Sequence, residues 1–169
     1  MTPQTCFFLS IAFSLIAWGI VAVQYIWPKL SQLQRSEALR PLLILNSFRF
    51  LGLAFLVPGV VSADIPSDFA RFAAYGDMIA AVLALLSLLL LPGVAGLVAT
   101  WIFNIWGAVD LLNAFYHGNS SALSAGQLGA AYFIPTLIVP LLLIIHLLVF
   151  RILLVHQNEH AMRAVELRA

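Results

Sequence analysis

Charge is what this sequence has least of: only 9% of its 169 residues are Asp, Glu, Lys or Arg, where an ordinary soluble domain carries about 25%. That scarcity excludes a freely soluble globular domain. Cysteine is nearly absent too, and with Cys6 alone an intramolecular disulfide, a CxxC redox pair and a multi-thiolate metal site are all impossible. A net charge of +1 leaves no basic stripe to hold nucleic acid. No Gly-rich phosphate loop, nucleophile elbow or HExxH motif is present, so the reading leans against an enzyme and names no catalytic residue. With no long polar linker, residues 1–169 form a single domain.

What fills the chain instead is apolar: 63% of residues are hydrophobic. A helix needs about 20 mostly apolar residues to cross the hydrocarbon, and five stretches have that length: Phe7 to Trp27, Pro41 to Val61, Phe69 to Leu91, Val94 to Tyr116 and Ala130 to Leu154. The expected fold is therefore all-α, a polytopic bundle of five transmembrane helices. Met-Thr-Pro-Gln-Thr before the first stretch has no positive charge, and the stretch is too long for a secretory signal, so it counts as a span. Pro28 closes the first helix, Pro41 suits the first turn of the second, and Pro92-Gly93 makes a tight turn. Pro135 and Pro140 should loosen the fifth. Lys29 to Arg40 reads as an interfacial connection and 155–169 as a cytoplasmic tail, with Glu159 and Arg163 one turn apart.

Lys and Arg set orientation. Lys29, Arg35 and Arg40 precede the second helix and Arg151, Arg163 and Arg168 follow the fifth, whereas the opposite side has Arg71 beside Asp64 and Asp68. The N-terminus is then outside and the C-terminus cytoplasmic, in what reads as a bacterial inner membrane.

One arginine breaks the pattern. Arg49 lies in Leu-Asn-Ser-Phe-Arg-Phe-Leu-Gly-Leu-Ala-Phe, and a guanidinium at membrane depth costs about 3 kcal/mol or more unless it faces protein. Counter-charges sit on inward faces of other helices. Asp77 belongs to a small-residue stripe with Ala73, Ala80, Ala81 and Ala84, and Asp110 shares a face with Gly96, Phe103 and Gly107. Counted inward from the outer ends, both acids lie about 9 to 12 Å deep and Arg49 about 18 Å, a gap that an arginine side chain spans. The expected ligand-binding set is Arg49, Asp77 and Asp110, with Asn46, Asn104, Asn113 and the intramembrane His146 around them. Two acids about one arginine carry a net negative charge, which makes proton coupling or recognition of a cation physically available.

Other signals are thin. A haem between His117 and His146 fails on depth, since His146 counts to about 24 Å and His117 to near zero. His117 with Asp110 and Asn113 is a weak metal pattern, and no metal is expected. His156 and His160 fall in the tail. Asn119-Ser120-Ser121 matches a glycosylation acceptor, and Trp27 suits an interface better than Trp18, Trp101 or Trp106.

The segment Arg49 to Gly59, followed by Tyr75-Gly76-Asp77, resembles the opening of DoxX-like small membrane proteins. That resemblance implies a four-helix unit, with Phe7 to Trp27 as an extra helix and Asp77 where glutamate is usual, and a role beside quinone-linked redox systems.

Three functions follow as expectations. The first is a membrane protein whose polar pocket binds or passes a small amphiphilic or ionic ligand, with or without a proton. The second is an accessory subunit of a quinone-linked redox system. The third is a structural subunit of a larger membrane complex or oligomer. The cofactor, if any, is unknown from sequence.

Overall fold

The structure, a computed structural model, describes residues 1–120 and 123–166, and among these the side chains other than those at 119 and 156–166. Ser121 and the side chains of Asn119, His156, Glu159, His160 and Arg163 lie outside what is described, and with them the glycosylation acceptor and the Glu159/Arg163 pair.

Five helices are long and apolar enough to cross a membrane: Pro3–Leu30, Arg35–Leu56, Ser67–Leu90, Val94–Gly118 and Ile134–Val155. The backbone of the fourth continues to Ser120 and that of the fifth to Glu166. No strand forms among the described residues beyond one bridge between Pro58 and Val61.

The second helix departs most from expectation. It begins at Arg35, so Pro41 falls inside it and the connection before it shrinks to 31–34. Ala38 and Leu39 are fully buried there, which an interfacial segment would not allow. It also ends at Leu56 rather than Val61, and its last nine residues, Phe48–Leu56, wind as a 3-10 helix. Three residues per turn stack Arg49, Gly52 and Phe55 in one row, and these are the buried residues of the segment. At about 2.0 Å of rise per residue, Arg49 lies about 14 Å from that end. Asp77 counts to about 15 Å from Ser67 and Asp110 to about 12 Å from Gly118. The three charges share one level, and the expected depth gap disappears because the helix ends at Leu56 and not at Val61.

Two π turns have a common cause. Ala22–Ile26 and Ile134–Ile138 each end two residues before a proline, Pro28 and Pro140. A proline ring collides with the carbonyl four residues earlier, and a locally wider turn relieves it. The first helix thus runs through Pro28 to Leu30 instead of stopping there.

Packing divides into two apolar clusters with a polar layer between. One, near the Lys29/Arg35 end, gathers Leu39, Leu42, Leu43, Phe103, Ile145 and Val149. The other, near the N-terminal end, gathers Phe55, Phe69, Leu111, Leu128 and Leu142. That second end is roofed by the 3-10 segment Ala125–Tyr132. Ala130 N–H donates to the Val60 carbonyl at 2.8 Å and Ser62 N–H to the Gln127 carbonyl at 2.9 Å. Gly129, at φ +53°, is required because a Cβ would meet the Val60 carbonyl. Gln127 Nε2 donates to the Asp64 carbonyl at 2.9 Å. The Ser62 hydroxyl donates to the Asp64 carboxylate and holds it below the usual carboxylate range, assisted by a backbone hydrogen bond and by Gln127.

The first helix is not a detached addition. Ser10 Oγ lies 3.2 Å from Tyr132 Oη, and Trp18 Nε1 donates to the Leu137 carbonyl at 3.2 Å. The first contact fixes it against the roof segment and the second against the start of the fifth helix.

Candidate functional site

The polar layer is built around Arg49, whose side chain is fully removed from solvent. Its Nε donates to Asp77 Oδ1 at 2.7 Å, and its Nη2 donates to Asp110 Oδ2 at 2.6 Å while lying 2.7 Å from Asp77 Oδ1. Nη1 donates to the Gly107 carbonyl at 3.1 Å and lies 3.4 Å from His146 Nε2. Every guanidinium nitrogen therefore has a partner, the condition under which a buried charge is tolerated.

Behind the guanidinium, Asn104 sets the histidine. Its Nδ2 donates to the His146 carbonyl at 3.2 Å, which orients the amide so that its Oδ1 accepts from His146 Nδ1 at 2.7 Å. The proton is then on Nδ1, and Nε2 presents a lone pair to Arg49. Replacing Asn104 by alanine should leave that buried N–H without an acceptor and cost about 1–2 kcal/mol. Chemical or thermal unfolding in detergent would measure it, and a wild-type midpoint would show that Asn104 does not orient the ring.

Glycines make these contacts possible. A Cβ at Gly52 would overlap the Asp77 carboxylate, one at Gly76 would overlap the Asp110 carboxylate, and one at Gly107 would lie 2.6 Å from His146 Cε1 and 2.8 Å from Arg49 Nη1. Each charged side chain thus lies against a bare Cα of a neighbouring helix, a close approach only glycine permits.

Asp77 and Asp110, each 7% exposed, form the floor of a cavity of about 480 Å³. Phe7, Phe8, Phe55, Phe69 and Phe115 line its wall with aliphatic side chains between them, and Gln4, Ser124, Ala125 and Leu128 border it as well. Arg49 and His146 do not reach it. The first helix therefore contributes wall residues.

Of the residues singled out from sequence, Arg49, Asp77, Asp110, Asn104 and His146 come together. Asn46 is fully buried but its Nδ2 bonds the Leu42 carbonyl of its own helix at 2.9 Å, and its Oδ1 has no partner among the described residues. Asn113 is exposed on the outer face of the fourth helix, because it lies only two positions from buried Leu111. His117 is exposed against Phe72, with ring centroids 4.5 Å apart. No His, Cys, Asp and Glu group able to hold a metal occurs among the described residues. Sequence reading missed Gly76 and the five phenylalanines; a glycine immediately before an inward acid was the available signal.

No curated protein and no solved structure matches the chain. A family model does, over residues 6–154, and the likeness to DoxX-like proteins does not survive it: no DoxX family match accompanies it. The matched region includes the first helix, so the unit is five helices and not four with an addition. The chain belongs to the family described as Domain of unknown function (DUF8737).

Proposed function

We propose that this protein is an integral membrane protein of the bacterial inner membrane with a pocket, open toward the outer face, that binds or passes a small amphiphilic or ionic ligand. The observation that carries the reading is the cavity whose floor is two buried carboxylates and whose wall is aromatic and aliphatic, the usual composition of a ligand site: mostly apolar, with few convergent polar groups. Insertion is supported by the outward side chains, including Ile79, Val82, Leu86, Val98, Ile102, Ile105 and Val109, all of them exposed. No aqueous protein would leave such a belt uncovered.

Orientation follows from charge. Lys29, Arg35, Arg40 and Arg151 gather at the end opposite the cavity, and Arg151 stacks on Trp27 with its guanidinium carbon 3.8 Å from the ring centroid. By the positive-inside rule that end is cytoplasmic and the cavity opens outward.

Thiol accessibility tests both parts. In a Cys6→Ala background, Ala114→Cys places a thiol in the cavity and Leu33→Cys one in the opposite connection. An impermeant cationic methanethiosulfonate added to osmotically opened cells with intact inner membranes should label position 114 and spare 33 until the membrane is breached. Protection of 114 on both sides would remove the open pocket, and labelling of 33 alone would reverse the orientation.

A further inference from the structure

The polarity of the cavity floor restricts what can occupy it. Arg49 has spent all three nitrogens on Asp77, Asp110, the Gly107 carbonyl and His146, and it does not border the cavity. Each aspartate gives one oxygen to Arg49; Asp77 Oδ2 and Asp110 Oδ1 accept no hydrogen bond among the described residues. The floor thus offers acceptors and no donors. An occupant with only acceptors at its head, such as a quinone carbonyl, a carboxylate or a phosphate, would meet lone pairs with lone pairs.

Charge points the same way. Two carboxylates against one guanidinium and a His146 ring that presents a lone pair to it leave the layer with an excess of negative charge, and no Lys, Arg or His lines the cavity. Low dielectric amplifies that excess. The wall is suited to a positive head as well: aromatic faces attract cations and also bury apolar bodies. Phe55 and Phe69 stand edge to face at 5.7 Å in the wall above the carboxylates, and Phe7 and Phe8 line it from the first helix.

We infer that the ligand is a lipophilic cation, a protonated amine on a compact aromatic or aliphatic body, whose ammonium donates to Asp77 and Asp110. The volume of about 480 Å³ suits a body of roughly one ring and a short chain within the range of small-molecule sites, about 300–1,000 Å³. This assignment rests on the pocket proposed above and adds the class of molecule it takes.

The test uses three probes of one shape: 4-phenylbutylamine, 4-phenylbutanol and 4-phenylbutyrate. Each is titrated calorimetrically into the full chain in zwitterionic nanodiscs, with empty nanodiscs as baseline. A second protein, Ala114→Phe, fills the cavity one turn from Asp110 without removing any charge. The amine should bind at least tenfold more tightly than the alcohol, the acid should not bind, and Ala114→Phe should abolish the difference. Asp110→Asn should weaken the amine more than the alcohol if it folds; the probe series and Ala114→Phe decide the matter if it does not. Equal binding of all three, lost in Ala114→Phe, would overturn the cation and leave the pocket standing. Binding of none, or binding that Ala114→Phe does not alter, would overturn both.

Discussion

Arg49→Met is expected to be the most damaging single substitution in the chain. Wild-type Arg49 neutralises two aspartates at once, at 2.7 and 2.6 Å; methionine keeps the stem and leaves two carboxylates facing each other in a buried layer. Removing one partner of a buried pair costs about 3–5 kcal/mol, and here two anions are orphaned together. The expected readout is loss of the monodisperse peak on size exclusion and collapse of the thermal midpoint. The informative companion is Arg49→Met combined with Asp77→Asn and Asp110→Asn. Without charges to strand, that protein should recover most of the lost stability, because the penalty lies in uncompensated charge and not in lost volume. Arg49→Lys should fall between, since one ammonium cannot reach both acids, the Gly107 carbonyl and His146 together. A single Arg49→Met protein as stable as wild type would show that the cluster does not hold the bundle.

Much of this arrangement is readable before any coordinates. Arg49 in an apolar run has to face protein, Asp77 in an alanine stripe has to face a neighbour, and Asp110 follows Gly107 on the same face; burial of charge dictates their meeting. What is not readable is winding. Counting from Val61 puts Arg49 too deep; the helix ends at Leu56, and the 3-10 winding of Phe48–Leu56 stacks Arg49 in the row that faces its partners. Nothing local to that segment announces the change except the recurrence of Arg49, Gly52 and Phe55 every third residue. The first helix is misjudged for a related reason. Its uniform hydrophobicity leaves no face that marks its neighbour, and its attachment depends on single contacts through Ser10 and Trp18. Asn113 misleads because, although three residues from Asp110 and beside it on the helix surface, it lies two positions from buried Leu111, nearly opposite it, and so falls at the exposed edge of the face.

The same geometry makes the glycines a second test, independent of charge. Gly76→Ala inserts a methyl where the Asp110 carboxylate sits, and Gly52→Ala does so against Asp77. Neither carboxylate can step aside cheaply, because each is fastened to Arg49 on its other oxygen. Overfilling a packed site costs about 1–3 kcal/mol, and both substitutions should sit at the upper end of that range. Each gains back about 0.5–1 kcal/mol for replacing glycine with alanine in a helix, so the measured loss is a lower bound on the collision. Gly19→Ala is the control: nothing lies within 4 Å of its would-be Cβ, so only the helix-propensity gain should remain and the thermal midpoint should hold or rise. Pairing Gly76→Ala with Asp110→Ala should then cost less than the sum of the two alone, because the second change removes the atoms the first one strikes. If Gly76→Ala proved as benign as Gly19→Ala, or the pair strictly additive, the third and fourth helices would not approach as closely as described, and the carboxylate floor of the cavity would be lost with them.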